Sequence, residues 1–383
     1  MFCQYIISDN LLSGAFIVLV FSFIILMAYY WCIFSRLAFY RKKTNHEGNH
    51  PVSVVICAKN EYSNLKKNLP LILEQDYTDF EVVLVNDCSD DDSDYLLKKF
   101  SEQYSYLNVV TIKQNVNFFT GKKFALAVGI KSAKNDLVLL TDADCTPKSK
   151  RWIFEMQKCF SDKKQIIIGY SGYEKRKGFL NRMIRYDTIY TAIQYLSYSL
   201  SGMAYMGVGR NLAYNKELFF KNKGFTSHYH IASGDDDLFI NQVAKHGNTC
   251  IEIIPESQTF SAPKLNWPDW LRQKKRHYST GKLYKNKHKL LLGLFPMCNL
   301  LFYTTLVFLL TQLILDFSLG NIILVSSFYF LKTASQMFIF KKCMKRLDEK
   351  NLLLISPVMD FIFIIINPLI AFSNFLVQDN KWK

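Results

Sequence analysis

Two acidic clusters hold the residues best suited to chemistry: Thr141-Asp142-Ala143-Asp144 and Gly234-Asp235-Asp236-Asp237. Asp142 and Asp144 follow the apolar run 137–140, where a buried strand should end. Two carboxylates one residue apart at such a point can share a hard divalent cation with a diphosphate. About ninety residues later, Asp235 or Asp236 can take a proton from an attacking hydroxyl. Together the clusters fit a metal-assisted displacement in which a diphosphate leaves. Asp237 adds a third acid, and adjacent like charges are expected to raise the pKa of the base.

Three further groups have side chains of the right kind. Asp87 closes the run 80–87 and can accept hydrogen bonds from a base or ribose; a helix cap made by Ser89, Asp90 or Ser93 is the plainer alternative. Asp91, Asp92 and Asp94 read as solvent-facing acids of the following helix's first turn. Gly121-Lys122-Lys123 opens a helix, and a lysine there can meet a phosphate, although GK without the rest of a Walker loop defines no phosphate cradle. In Gly209-Arg210-Asn211 the glycine permits close backbone approach, while Arg210 and Asn211 can bind hydroxyls or phosphate. An ordinary turn into a helix near Asn215 explains the same residues.

The elements that position these groups alternate. Apolar, β-branched runs at 52–58, 80–87, near 108–112 and at 136–144 read as strands, separated by helical stretches ending near 75 and spanning 93–103 and 121–133. That order predicts an α/β domain over 46–289 with a mostly parallel sheet and ligands at the carboxyl ends of its strands. A tyrosine-rich helix near 170–200 carrying Arg182 and Arg185 reads either as an amphipathic membrane-surface helix or as a packed core helix.

Residues 10–35 carry no charge and are followed by Arg36, Arg41, Lys42 and Lys43, which predicts a membrane anchor over 1–36 with the following domain in the cytosol. Residues 290–315 form a second uncharged run, preceded by Lys282, Lys285, Lys287 and Lys289; 322–340 form a third, interrupted by Lys332. The region 290–383 is expected to hold two to three apolar segments. In the last, 351–375, Asp360 and Pro368 favour a re-entrant or interfacial path over a full crossing.

Half the residues are apolar and 21% charged, a composition suited neither to a disordered chain nor to one made only of spans. Much of the net charge of +15 lies beside the apolar runs, so membrane lipid rather than nucleic acid is the expected partner. The nine cysteines include no CxxC pair and are expected to be reduced thiols, without structural zinc.

The ordered series CAKNE at 57–61, VNDCSDD at 85–91, GKKFAL at 121–126, TDAD at 141–144, GDDDL at 234–238 and QKKRH at 273–277 resembles the membrane-bound family 2 glycosyltransferases, the cellulose and hyaluronan synthase-like superfamily. The resemblance implies a GT-A fold flanked by transmembrane helices, a nucleotide-sugar donor, Mg²⁺ or Mn²⁺, and inversion at the anomeric carbon. By that resemblance Ala58, Glu61 and Asp87 line the nucleoside site, Lys122 lies near the nucleotide, Asp142 and Asp144 form the metal and diphosphate motif, and Asp235 matches the base. Ser233-Gly234 stand where many members have Thr-Glu, which leaves Asp236 as the alternative base.

Gln273 and Arg276 match a Gln-x-x-Arg-Trp pattern that supports acceptor sugar and diphosphate at the membrane surface, with His277 in place of Trp. Losing the indole removes a flat face for an acceptor sugar. Together with the small number of apolar segments, this favours a non-processive member acting on a lipid-linked or cell-envelope glycan acceptor at a bacterial inner membrane. A processive polysaccharide synthase, a polyprenyl-phosphate sugar synthase and a non-catalytic scaffold are the alternatives; Asp87, Asp142, Asp144 and Asp235 together argue against the scaffold.

Overall fold

The computed structural model describes residues 10–42, 48–113, 121–231 and 233–376. The chain divides into two compact units, one centred on residues 41–284 and one formed by the apolar helices.

The first unit is built on a seven-stranded sheet. Its strands are β1 Val52–Ala58, β2 Phe80–Asp87, β3 Leu107–Ile112, β4 Leu137–Asp142, β6 Ile166–Gly169, β8 Leu212–Asn215 and β9 Thr249–Glu252, in the order β3-β2-β1-β4-β8-β6-β9. The pairs β3-β2, β2-β1, β1-β4 and β6-β9 are parallel, and β8 runs antiparallel between β4 and β6. A small second sheet joins β5 Cys145–Pro147, β10 Thr259–Ser261 and β7 Ser171–Tyr173.

The continuous apolar runs suit strands covered on both faces. Val52, Val54, Ile56, Val82, Leu84, Leu137 and Leu139 form one core with Leu65, Leu69, Trp152 and Ile153 from the covering helices. Each such side chain contributes roughly 1.5–3 kcal/mol on burial. The helices in chain order are α1 Asn10–Ala38, α2 Tyr62–Leu73, α3 Ser93–Gln103, α4 Lys123–Ser132, α5 Trp152–Gln157, α6 Phe179–Leu200, α7 Lys216–Lys221, α8 Asp237–Val243 and α9 Trp267–Tyr278. Gly129 brings α4 close to the sheet, since a Cβ there would stand 2.6 Å from Val55.

For the tyrosine-rich segment, the core reading holds: α6 buries Met183, Ile184, Tyr186, Ile189, Ile193, Tyr195 and Leu196, together with Arg185. These residues therefore face protein rather than a bilayer, although Phe179 at the start of the helix is exposed.

The second unit contains α1 and three more helices, α10 Asn286–Leu315, α11 Leu319–Arg346 and α12 Ser356–Leu376. All four have the length and apolar composition to cross a membrane. The last, α12, continues through Pro368 without the break expected there. Its charge is also accounted for, because the Asp360 carboxylate is paired with Lys332 of α11 and accepts from Asn299 and Tyr303 of α10 at 3.0 and 3.3 Å. The Lys332 ammonium donates further to Tyr303 Oη and Gln336 Oε1, both at 3.1 Å, so the two charges offset one another.

Candidate active site

Strand ends and helix starts bring the two acidic clusters to one place. β4 delivers Asp142, and the turn to β5 carries Asp144. Lys122 stands at the N-cap of α4, where its ammonium reaches Asp142 Oδ1 at 2.8 Å and Asp235 Oδ2 at 3.0 Å. One cation therefore joins the motif suited to a diphosphate and the motif suited to a base. Burial alone would lower the Lys122 pKa, but Asp142, Asp235 and Asp236 raise it well above the ordinary lysine value.

Hydrogen bonds sort the three consecutive acids. Gly234 turns the chain at φ +101°, a conformation that favours glycine, and a Cβ there would also meet Leu238 at 2.5 Å. Asp235 then faces Lys122. Burial pushes its carboxyl up, yet the Lys122 ammonium and a backbone N–H outweigh burial and hold it below the usual carboxylate value. Asp236 caps α8: its Oδ1 accepts from Asp237 N–H and its Oδ2 from Gly209 N–H, both at 2.7 Å. Burial and its two acidic neighbours push this carboxyl up to about 7. The upward shift expected of the base thus falls on Asp236, because Lys122 compensates Asp235. Asp237 points elsewhere, accepting from Thr280 Oγ1 at 2.5 Å and Tyr284 Oη at 2.7 Å.

The oxygens of Asp142 and Asp144 and the sulfur of Cys145 lie within 4.8 Å of one another. Cys145 is a poor ligand here. Its thiol is buried, pushed upward by burial and by Asp144, and 3.0 Å from Ser261 Oγ. The two carboxylates remain as hard oxygen donors, a set that fits Mg²⁺ or Mn²⁺ completed by diphosphate oxygens. Burial and Asp142 raise the Asp144 carboxyl, as expected of two neighbouring acids.

The 209–211 turn has a different use from the one expected. Asn211 is fully buried; its Nδ2 donates to Tyr170 O and Ser257 O, and its Oδ1 accepts from Trp152 Nε1. With those groups engaged inside the core, it is withdrawn from the substrate-binding set. Arg210 donates to the carbonyls of Ser171 and Gly172 and to Ser261 Oγ, and its guanidinium lies 4.5 Å from the Tyr173 ring centre. Tyr173, which sequence reasoning missed, also accepts from Gln273 Nε2 at 3.0 Å. No motif marks it, since it lies on a three-residue strand.

Asn266 opens α9 by accepting from Asp269 N–H, with Pro268 in the first turn and Lys275, Arg276 and His277 in the last. Arg276 Nε is buried with no hydrogen-bond partner among the described residues, whereas His277 is exposed. At the other end of the site, Ala58 and Asp87 close neighbouring strands. Burial raises the Asp87 carboxyl against the opposing effect of Lys59. Glu61 accepts from Asn64 Nδ2 and borders a polar cleft of about 270 Å³ with Asn60, Asp91 and Asp92. Asp91 is more than a solvated acid, because it accepts from Tyr62 N–H at 2.9 Å and Ser93 N–H at 3.1 Å, tying α2 to α3.

Comparison with known proteins agrees with this architecture. Residues 53–223 match the family described as glycosyl transferase family 2, and 139–370 match glycosyl transferase family group 2. The probable glycosyltransferase YdaM of Bacillus subtilis is 24% identical over 244 residues, covering 61% of this chain and 55% of YdaM. A poly-beta-1,6-N-acetyl-D-glucosamine synthase of Staphylococcus epidermidis is 27% identical over 130 residues, 31% of this chain and 30% of that protein. The matches thus span about half or less of these relatives. The fold resembles that of the mannosyltransferase PcManGT from Pyrobaculum calidifontis, solved with GDP-Man and Mn²⁺, with a TM-score of 0.58 at 18% identity over 88% of this chain and 99% of that one. Matched through the sheet, the acidic clusters and most of the apolar helices, the chain belongs to the family 2 glycosyltransferases.

Proposed function

We propose that the protein is an inverting, metal-dependent glycosyltransferase that moves a sugar from a nucleoside-diphosphate donor to a lipid-linked or cell-envelope glycan acceptor at the cytosolic face of a bacterial membrane. The Lys122 ammonium held between Asp142 and Asp235 carries this reading, since it marks one point reached by both the diphosphate motif and the base.

Asp235, ionised at neutral pH, takes the acceptor hydroxyl proton as the new C1–O bond forms opposite the departing diphosphate, which inverts the anomeric carbon. Asp142 and Asp144 would hold Mg²⁺ or Mn²⁺, and the ion would offset the charge developing on the leaving group. Lys122, held between the two motifs, lies where it would meet that diphosphate, and Arg276 would offer its unmatched Nε–H to an anionic oxygen. Asp87 and Glu61 bind the nucleoside, with Ala58 at the strand end, and Gln273 supports the acceptor side together with Tyr173. The exposed His277 offers an acceptor no indole face, which supports transfer of one or a few sugars over polymer extrusion.

The test is release of nucleoside diphosphate from UDP-, GDP- and dTDP-sugars by membranes carrying the full chain, with native lipid supplied as acceptor. Release from one donor, abolished by chelator and by Asp235→Asn, is the expected result. Release unaffected by chelator and by that substitution overturns the reading. Product length separates single transfer from polymerisation.

A further inference from the structure

Lys123 plays no part in the chemistry described above, yet its side chain is completely buried. Its ammonium donates to His228 O at 2.7 Å and Ile231 O at 2.6 Å, so the two neighbouring lysines at the start of α4 serve different partners. Burial lowers the Lys123 pKa to about 8, partly offset by Asp235, Asp237 and Asp236. The ammonium is therefore near the acidic cluster while its hydrogen bonds go to the loop ahead of it.

The loop passes the constraint on. His228 is buried, and its ring Nε2 lies 2.9 Å from Gly234 O, while Nδ1 lies 2.8 Å from Ser227 Oγ. Burial and Lys123 keep that ring neutral, with its pKa lowered to about 4. A neutral ring that donates from Nε2 to the Gly234 carbonyl and accepts at Nδ1 from the serine satisfies both contacts. The chain of contacts runs from Lys123 through His228 to the residue immediately before Asp235.

We propose that Lys123 is a positioning residue that holds the 228–231 turn and, through the His228 ring, fixes the Asp235 carboxylate against the acceptor hydroxyl. The proposal rests on Asp235 being the base. Lys122 and Lys123 then divide one helix start between them, the first meeting the donor side and the second setting the base. Two charge-assisted bonds to carbonyls are stronger and more directional than the neutral contacts that otherwise hold such a turn. A displacement of about 1 Å at the base can cost on the order of 10²-fold in rate.

The test uses the full chain in detergent and compares wild type, Lys123→Met, His228→Leu and Asp235→Asn by hydrogen exchange and by steady-state kinetics with the nucleotide sugar that wild type turns over. Lys123→Met is expected to speed exchange at least tenfold in peptides covering 226–236 while leaving β1 protected. It should lower kcat about 10²-fold and change the donor KM less than threefold. Asp235→Asn should lose kcat with wild-type exchange in the same peptides. Unchanged exchange at 226–236 in Lys123→Met, or a loosened turn with normal kcat, overturns the proposal. If Asp235→Asn keeps its activity, the base assignment fails, while the exchange result still reports whether the lysine holds the turn. Should Lys123→Met lose β1 protection as well, His228→Leu decides: it keeps both lysine bonds and removes the link to Gly234, so a matching fall in kcat supports the chain of contacts and unchanged kcat refutes it.

Discussion

The Lys122 ammonium lies 3.0 Å from Asp235 and 2.8 Å from Asp142, so a single cation holds both acidic motifs in register. Asp235 owes its low pKa to that contact, because burial acts in the opposite direction. Activity that needs ionised Asp235 rises with pH through the folded-state pKa. Removing Lys122 leaves burial opposed only by the backbone N–H and by Lys123, and moves that rise to higher pH. Lys122→Met should therefore shift the acid limb of the kcat/KM profile upward and weaken donor use. An acid limb that stays in place while activity falls would leave Lys122 with a donor-binding role alone.

Asp235 and Asp236 are adjacent but differ in what occupies their oxygens. Asp235→Asn should lose about 10²–10⁴-fold in kcat with a near wild-type melting temperature. Asp236→Asn keeps an oxygen for the Asp237 N–H but cannot accept from Gly209 N–H as well. Leaving a buried donor unsatisfied costs about 1–3 kcal/mol. That variant should therefore lose stability first and retain measurable turnover. The reverse pattern in paired melting and kinetic measurements would transfer the base role to Asp236.

The first four strands and the acidic motifs were legible because each was local: a β-branched run, carboxylates at a strand end; β5 to β10, each only three or four residues long, were too short to leave such a run. Asn211 was not, because its amide is enclosed by Trp152, Tyr170 and Ser257, which are distant in sequence. Lys123 offered only a lysine at a helix start, able to meet a phosphate, for the same reason; its partners lie more than a hundred residues away. The tyrosine helix left surface and core readings open, and only the packing around Tyr186 and Tyr195 separated them. Arg210 and Tyr173 gave a milder case, since stacking between a turn and a short strand leaves no periodic trace.

Cys145 lies beside the two carboxylates suited to a metal, but its buried side chain is held as a thiol, 3.0 Å from Ser261 Oγ and donating to Asp144 Oδ1 at 3.6 Å. Cys145→Ser should keep the metal requirement and most of the activity. Asp144→Asn should raise the concentration of Mn²⁺ or Mg²⁺ needed for half-maximal turnover by at least tenfold, since one of two charged oxygen donors is lost. A metal titration of both variants checks the assignment. A large shift for Cys145→Ser, with none for Asp144→Asn, would place the sulfur among the ligands.

Lys332 and Asp360 read in sequence as interruptions of separate apolar runs, yet they face one another within the helical unit. Asn299, Tyr303 and Gln336 surround the pair, so three helices meet through polar contacts in a setting where apolar side chains give little specificity. Lys332→Met leaves the Asp360 carboxylate buried without its cation, and Asp360→Leu strands the ammonium. Either single change should destabilise the unit by about 3–5 kcal/mol. The double variant removes both charges and should recover most of that loss, because a well-packed apolar pair can replace a buried ion pair at little cost. Thermal unfolding of the full chain in detergent measures the cycle. Additive losses in the double variant would mean that the two residues act independently.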